Sequence, residues 1–237
     1  MKNDNSTSAS KIIALLPMKG HSERVPNKNI RPFAGRPLYH RVAEALQSCD
    51  RIESIIINTD SDLIAEDARE HFSKVRIIMR PQELQGDFVP MNDIIGYDLA
   101  MTGATHYLQT HSTNPLLTSA TVEAAIEQYF RSLGDFDSLF SVTRLQTRLY
   151  WASGEPVNHN PAELLRTQDL PPLFEENSNL FIFSKSSFAA AGNKRIGLKP
   201  AMFPMDKLEA VDIDEEVDFT LAEVLFRMRA ERGEHAA

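Results

Sequence analysis

The fold is first indicated by residues 11–29, which read KIIALLPMKGHSERVPNKN. Ile12 to Leu16 is a short, continuous apolar run that stops at Pro17, as expected for a strand buried on both faces of a parallel sheet. The segment that follows is polar and basic and contains one glycine. A buried strand followed directly by such a segment is typical of a ligand-binding loop at the edge of an open α/β sheet.

Predicted strands and helices alternate along the rest of the chain. Apolar periodicity and turn signals predict helices over 37–48, 62–71, 91–101, 119–130 and 215–229, and strands over 54–58, 75–79, 106–109, 138–142 and 179–184. A short helix and an extended segment around Met202 are expected after the last of these strands. This alternation predicts a three-layer α/β fold, in which helices cover both faces of a mostly parallel sheet.

Residues 144–178 interrupt the alternation. A glycine and four prolines divide this region into short segments: Gly154, Pro156, Pro161, Pro171 and Pro172. Such a region is expected to be an inserted lobe. We therefore predict one domain over residues 11–237 with an insertion at about 144–178. Residues 1–10 are polar and lack an apolar core, so we expect a disordered leader there.

The composition is that of an ordinary globular protein. Of the 237 residues, 42% are hydrophobic and 24% are charged, and no apolar run approaches the roughly 18 residues that span a bilayer. The formal net charge of −8 argues against general nucleic-acid binding, which needs a basic surface. We therefore expect a cytoplasmic protein without membrane or nucleic-acid partners. The single cysteine, Cys49, lies in an apolar helical pattern and is expected to be a buried structural thiol.

One basic segment stands out in this acidic chain. Between residues 19 and 41, Glu23 is the single acid among the cations Lys19, Arg24, Lys28, Arg31, Arg36 and Arg41. Backbone N–H groups and fixed positive charge in such a segment can surround a nucleoside triphosphate. The segment lacks the Gly-Lys-Ser/Thr of a Walker A loop and the repeated glycines of a dinucleotide-binding loop. The alternative is a solvated loop whose charges face water.

A pair of carboxylates near the carboxyl terminus is the second chemical signal. Asp212 and Asp214 flank Ile213, and in an extended segment residues two apart point to the same side. They can therefore present hard oxygen ligands together, and Mg²⁺ prefers one or two carboxylates completed by phosphate oxygens and water. The alternative is that Asp214 caps the final helix, with Glu215 and Glu216 in its first turn.

Several motifs in this order resemble one known family. They are the loop SERVPNKN at 22–29, RPFAGRPL at 31–38, NTD at 58–60, RPQEL at 80–84, LQT at 108–110 and DID at 212–214. From Lys11 onward the chain resembles the acylneuraminate cytidylyltransferases, or CMP-sialic acid synthetases, and more distantly the CMP-Kdo synthetases. The resemblance implies a Rossmann-like nucleotidyltransferase fold and transfer of CMP from CTP to a sialic acid-like sugar acid. It also implies a homodimer that packs through the inserted lobe.

The resemblance also implies roles for particular residues. Catalytic roles are expected for Lys19, Arg24 and Lys28 around the triphosphate, and for Asp212 and Asp214 as ligands of Mg²⁺. Substrate contacts are expected from Met18, Gly20, Ser22 and Asn29 in the loop, Arg80 near the nucleotide, Gln109 near the sugar acid, and Asn177. Arg148 is the arginine of the insertion that we expect to clamp the sugar carboxylate. Asp60 is expected to cap a helix, and His111 to be a hydrogen-bonding loop residue.

Three departures from the family pattern concern the sugar. Glu23 stands where the sialic-acid enzymes usually have lysine, Leu117 stands where an arginine is common, and Glu175-Glu176 replaces an Arg-Pro pair. An enzyme acting on Kdo, its 8-amino relative, pseudaminate or legionaminate is therefore an alternative. The sequence is also compatible with a glycosyltransferase that has an Asp-x-Asp metal motif, and with a non-catalytic sugar-nucleotide sensor.

Overall fold

The computed structural model describes residues 11–22 and 24–232. The leader predicted at residues 1–10 lies outside the described residues, as does Glu23. The described chain is organised around a seven-stranded sheet. Its strands in chain order are β1 (Ile12–Leu15), β4 (Ile52–Thr59), β5 (Val75–Met79), β6 (His106–Thr110), β7 (Ser138–Leu145), β8 (Leu173–Ser184) and β9 (Pro200–Pro204). The short strands β2 (Pro32–Phe33) and β3 (Arg36–Pro37) pair as a separate hairpin.

The strand order across the sheet is β5-β4-β1-β6-β8-β7-β9. Neighbouring strands are parallel except on the two sides of β8, which runs antiparallel to both β6 and β7. The parallel strands therefore end at one edge of the sheet, which is where open α/β folds bind their ligands. The mostly parallel sheet predicted from the sequence is confirmed.

Helices pack on both faces of the sheet. They are α1 (Leu38–Ser48), α2 (Asp62–His71), α3 (Met91–Met101), α4 (Ser119–Ser132), α5 (Lys185–Ala190) and α6 (Glu216–Glu231). Alternate side chains of β1 supply the two cores, because Ile12 and Ala14 pack with α1, α2 and α4, whereas Ile13 and Leu15 pack with α3 and α5. This double burial explains why β1 is a continuous apolar run.

The central elements agree closely with the sequence pattern. Helices α2 and α3 and strand β5 have the predicted bounds. Helix α1 begins one residue later than predicted, α4 ends two residues later, and α6 differs by one residue at its start and two at its end. Cys49 is buried in the larger core, as expected for a structural thiol. None of the helices in the described part of the chain is long and apolar enough to cross a membrane.

Strands β7 and β8 are longer than their patterns predict. Both extend beyond the sheet as an antiparallel pair, in which Val142 to Leu145 lie opposite Glu176 to Leu173. The predicted insertion is therefore narrower than 144–178: its outer parts continue the strands, and residues 146–172 form the segment between them, here called the arm. Glu175 and Glu176 lie in β8 rather than in a turn, and a bulge beside Ser178, whose φ is 56°, joins the two parts of β8.

Candidate active site

A cleft of about 550 Å³ lies at the carboxyl ends of the parallel strands. Nine of the predicted site residues line it: Met18, Lys19, Ser22, Arg24, Lys28, Asn29, Arg80, Asp212 and Asp214. They come from the loop after β1, the end of β5 and the segment before α6. Residues far apart in sequence are therefore brought to one concave surface, which is where a ligand site is expected in this architecture.

Backbone and amide hydrogen bonds shape the loop after β1. The Gly20 N–H donates to Asp60 Oδ1 at 2.7 Å, and a Cβ at Gly20 would lie 2.8 Å from the Ser61 Cβ. A side chain at this position would therefore push the loop away from the end of β4. Asn29 donates to the Lys19 carbonyl at 2.8 Å and accepts from the Ser112 hydroxyl at 2.7 Å, which ties the loop to the end of β6.

The predicted cap of helix α2 is wrong in its residue. Ser61 is the N-cap and accepts from the Ile64 N–H, whereas the Asp60 carboxylate serves the Gly20 N–H of the loop. Asp60 is thus structural, as expected, but it supports the loop rather than the helix. The sequence could not distinguish these two roles, because both need an acid directly after a strand.

A small apolar cluster fixes the two candidate metal ligands against the loop. Ile213 is fully buried with Val25 of the loop and Phe219 of α6. Asp212 and Asp214 lie on either side of Ile213, and both line the cleft. The buried isoleucine therefore turns its two acidic neighbours towards the cleft, as the alternation of the sequence predicts.

The cap of α6 leaves the Asp214 carboxylate available to the cleft. Glu215 is the N-cap, and Asp218 completes a capping box and accepts from the N–H groups of Asp214 and Glu215. The Asp214 carboxylate instead accepts from Arg24 at 2.6 Å. The alternative interpretation of Asp214 as the helix cap is therefore wrong.

Charges of both signs alternate along this part of the cleft. Lys28 donates its ammonium protons to the Ile213 carbonyl, and Lys19 pairs with Asp87. Burial lowers the pKa of Lys28, although Asp212 and Asp214 oppose that shift. Burial raises the pKa of Asp212, the charge of Asp214 raises it further, and Thr113 and Lys28 lower it. A polyphosphate together with a divalent cation could satisfy both sets of charges at once.

Arg80 is held by a buried polar network at the base of the cleft. Its Nε donates to Asn58 Oδ1 at 2.8 Å, and one terminal nitrogen donates to the Asn58 carbonyl at 2.9 Å. Asn58 in turn donates to Asp98 Oδ1 at 2.6 Å. Burial raises the pKa of Asp98 to about 7, and burial lowers the pKa of Arg80. The network fixes the guanidinium in one orientation towards the cleft.

Arg195 is a cation of the cleft lining that the sequence motifs do not include. It lies between α5 and β9 and lines the cleft together with His111. One terminal nitrogen donates to Gln109 Oε1 at 2.6 Å, and the guanidinium carbon lies 3.6 Å from the centre of the Phe181 ring. The residues around Arg195 form no motif. Arg195 reaches the cleft because β8, which precedes it in the chain, runs antiparallel beside β6.

A family model supplies the class of protein. The cytidylyltransferase model matches residues 13–231. The chain belongs to the cytidylyltransferase family. The family resemblance stated from the sequence motifs is therefore confirmed.

Individual relatives show how far the match extends. The chain is 30% identical over 239 residues to N-acylneuraminate cytidylyltransferase A of Danio rerio and 24% identical over 226 residues to N-acylneuraminate cytidylyltransferase of Escherichia coli. These matches cover 94% and 90% of this chain, but it spans only 54% and 51% of those proteins. Post-translational flagellin modification protein B of Campylobacter coli is 23% identical over 230 residues, with 92% of this chain and 96% of that protein covered.

Solved structures confirm the Rossmann-like nucleotidyltransferase fold. A CMP:2-keto-3-deoxy-manno-octonic acid synthetase complexed with CTP matches with a TM-score of 0.64 at 12% identity, covering 94% of this chain and 100% of that one. A 4-diphosphocytidyl-2C-methyl-D-erythritol synthase matches with a TM-score of 0.64 at 14% identity, covering 92% and 99%. At these identities the similarity concerns the fold alone.

Four predicted site residues of this cytidylyltransferase lie outside the cleft lining. Gly20 holds the loop to Asp60 through its N–H. Gln109 is fully buried and accepts a hydrogen bond from Arg195, which lines the cleft. Arg148 lies in the arm and donates to the Leu165 carbonyl, so it is not placed to clamp an acid in the cleft of its own chain. Asn177 bonds to Ser141 and Thr143, because the bulge at Ser178 turns Asn177 towards β7. Ser178 lines the cleft instead.

The donors at Asp212 and Asp214 fit a hard divalent cation. Both are carboxylates that line the cleft, and burial together with the charge of Asp214 raises the pKa of Asp212. A cation between them would remove this repulsion. Two carboxylates facing a triphosphate-sized cleft are the ligand set that Mg²⁺ commonly uses with nucleotides. These two residues could therefore hold the predicted Mg²⁺.

Proposed function

We propose that this cytidylyltransferase joins CMP from CTP to a sialic acid-like 2-keto-3-deoxy sugar acid, releasing pyrophosphate. The observation that carries the proposal is the meeting of two charge groups in one cleft. Lys19, Arg24 and Lys28 come from the loop after β1, and the Asp212-Asp214 pair comes from the segment before α6. The named activities of the Danio rerio and Escherichia coli relatives support the choice of a sialic acid-like acceptor.

The reaction we propose is an in-line displacement. The anomeric hydroxyl oxygen of the sugar acid attacks the α-phosphorus of CTP, a new phosphorus–oxygen bond forms, and the bond to the β-phosphate oxygen breaks. The hydroxyl proton passes to solvent and pyrophosphate leaves. No protein nucleophile takes part. His111 is a weak base at neutral pH, because burial and the neighbouring charges of Arg195 and Lys28 lower its pKa to about 4.

Residues of the loop and the acidic pair have separate roles in this reaction. Lys19, Arg24 and Lys28 would bind the phosphates and stabilise the charge that moves to the leaving pyrophosphate. Asp212 and Asp214 would hold Mg²⁺, which when bound supplies positive charge to the phosphate oxygens. In the structure Arg24 pairs with Asp214 and Lys19 with Asp87. Binding of CTP with its cation would exchange these pairs for contacts with phosphate.

We also propose that two copies form a dimer through the arm. The arm exposes large apolar side chains, including Trp151 at 63% and Leu164 at 94% of their full exposure. Such side chains are expected to be covered by a partner surface. Sedimentation velocity at micromolar concentration should show a dimer, and Trp151→Ser combined with Leu164→Ser should shift the protein towards a monomer. A wild-type monomer would contradict the proposal.

The proposed reaction is tested by pyrophosphate release in the presence of Mg²⁺. Each of the four nucleoside triphosphates is offered with N-acetylneuraminate, Kdo, pseudaminate and legionaminate in turn. We expect release with CTP and one sialic acid-like acid. Release with Kdo alone would favour the alternative sugar. If folded protein binds a sugar acid but releases no pyrophosphate with any combination, the result would favour the non-catalytic sensor.

A further inference from the structure

Arg195 provides positive charge to the cleft from a part of the chain separate from the phosphate loop. The segment between α5 and β9 carries it, whereas Lys19, Arg24 and Lys28 belong to the loop after β1. Its guanidinium lies against the face of the Phe181 ring and donates to Gln109 Oε1 at 2.6 Å. The ring and the amide hold the guanidinium plane in place. Arg195 is therefore pre-oriented before any ligand arrives.

The immediate partners of Arg195 are neutral. Gln109 and Phe181 carry no charge, and none of the ion pairs formed among the described residues includes Arg195. Burial lowers the pKa of Arg195 to about 10, opposed by the charge of Glu176, so it remains protonated at neutral pH. A half-buried cation with neutral partners favours an anionic ligand, because the ligand offsets the cost of removing the charge from water.

His111 lines the cleft beside Arg195, and Lys28 and Asp214 line the same cleft. Its Nε2 is 3.5 Å from the Arg195 terminal nitrogen. Burial lowers the pKa of His111, the charges of Arg195 and Lys28 lower it further, and Asp214 raises it. An anion on Arg195 would therefore be next to, but separate from, the site proposed for the triphosphate and Mg²⁺. The position suits an acid group of the second substrate.

We propose that Arg195 binds the carboxylate of the sugar acid, and that Gln109 is the positioning residue that holds the guanidinium. The inference rests on the proposed function for the identity of the acid. A carboxylate is planar and carries one negative charge. It can accept from the N–H groups of Arg195 that do not donate to Gln109. Within one chain Arg195, rather than Arg148, is the candidate carboxylate clamp, because Arg195 lines the cleft and Arg148 donates to the Leu165 carbonyl in the arm.

The test is equilibrium binding by calorimetry, with CMP present at a saturating concentration. The probes are N-acetylneuraminate, Kdo, and the carboxamide of whichever acid binds the wild-type protein more tightly. We expect the wild type to prefer the acid, and Arg195→Met to bind that acid roughly 10- to 100-fold more weakly while its affinity for the carboxamide changes little. Affinity for CMP should be unchanged. Lys194→Met is the matched control, since Lys194 is the exposed neighbour.

An isosteric variant tests the positioning role. Gln109→Glu places a carboxylate beside Arg195, so the substrate acid would have to compete with an internal ion pair. We expect weaker binding of the acid than of the carboxamide in this variant. We also expect a lower unfolding temperature, because Gln109 Nε2 donates to the Thr110 carbonyl at 2.8 Å and a carboxylate oxygen cannot. A merely structural role for Gln109 would not change the preference between acid and carboxamide.

The outcomes separate this inference from the proposed function. Equal wild-type affinity for acid and carboxamide, no binding of either acid, or an equal loss of acid and CMP affinity in Arg195→Met would overturn the inference. Acid binding that depends on Arg195 but is not followed by pyrophosphate release would support the inference and contradict the cytidylyl transfer. Arg195→Lys keeps the positive charge but lacks the two parallel N–H donors of a guanidinium, so it is expected to retain part of the preference for the acid over the carboxamide. This second variant keeps the test valid if Arg195→Met fails to fold.

Discussion

The cleft contains two groups of cations that differ in what surrounds them. In the loop after β1, Lys19 and Arg24 lie against the carboxylates of Asp87 and Asp214. Arg195 lies instead against the amide of Gln109 and the ring of Phe181. Under the proposed function, the first group would exchange these carboxylates for phosphate oxygens when a polyphosphate and a cation bind. The second holds one positive charge ready for one anion.

This difference suits the two sets of cations to two different ligands. A triphosphate brings several negative charges and its own metal, so paired cations and carboxylates can rearrange around it without leaving any charge unpaired. A sugar acid brings one carboxylate, and a single guanidinium with neutral supports suits it better. The contrast predicts that substitutions at the two ends of the cleft affect different substrates.

The largest effect is expected from Asp212→Asn, which removes a charge at the metal end without changing the shape of the side chain. We expect turnover to fall by roughly 1,000-fold or more, since a bound metal contributes several kcal/mol of transition-state stabilisation. Pyrophosphate release under saturating substrates measures it. Sugar-acid binding at the Arg195 end should remain within about twofold.

Asp206→Asn is the control for this substitution. Asp206 is exposed, lies six positions earlier in the chain and is not among the residues that line the cleft. Its turnover should equal that of wild type. Activity of Asp212→Asn within about tenfold of wild type would show that the acidic pair does not hold an essential cation.

A smaller effect is expected from Lys28→Ala, which removes one cation of the phosphate loop. Lys28 contacts the Ile213 carbonyl between the two aspartates, so its loss should weaken the phosphate contacts. We expect the KM for CTP to rise by roughly 10- to 50-fold while the KM for the sugar acid changes little. Steady-state kinetics with each substrate varied in turn measures both values.

The matched control for Lys28→Ala is Lys207→Ala, since Lys207 is exposed and lies outside the cleft lining. If Lys28→Ala raised the KM for the sugar acid as much as the KM for CTP, the proposed separation between the phosphate loop and Arg195 would be wrong. The two cation groups would then act on one shared ligand.

How much the sequence predicts depends on whether a feature is local. The elements around β1 and the motif at Asp212 to Asp214 are local, because burial and alternation of adjacent residues determine them. Nine of the predicted site residues line the cleft for the same reason: loops at the carboxyl ends of parallel strands meet at one edge.

Features that depend on long-range pairing were not predictable in this way. The motif at Gln109 predicts a contact with the sugar acid, but Gln109 is buried and accepts a hydrogen bond from Arg195, which lines the cleft. Arg195 itself comes from a segment without a motif, and only the antiparallel placement of β8 beside β6 brings it near. The bulge at Ser178, which turns Asn177 away, likewise has no signal in the residues around it.

The smallest effect is expected from Asp137→Ala, which loosens the segment that carries Arg195. The Asp137 carboxylate accepts from the Leu198 N–H at 2.9 Å and from the Lys199 N–H at 3.1 Å, and it fills the space beside Gly197, where a Cβ would lie 2.1 Å from Oδ1. Loss of these bonds should lower the free energy of unfolding by about 1–3 kcal/mol. Denaturant unfolding measures this change.

The kinetics of Asp137→Ala test whether the segment that carries Arg195 affects only the sugar acid. Asp137 contacts neither substrate in the proposed arrangement, yet it accepts from the N–H groups of Leu198 and Lys199, three and four residues after Arg195. We expect the KM for the sugar acid to rise by roughly two- to fivefold and the KM for CTP to stay the same. Asp135→Ala, at an exposed position two residues earlier, is the control. A change in the KM for CTP instead would mean that this segment supports the phosphate end, and that the two cation groups are coupled.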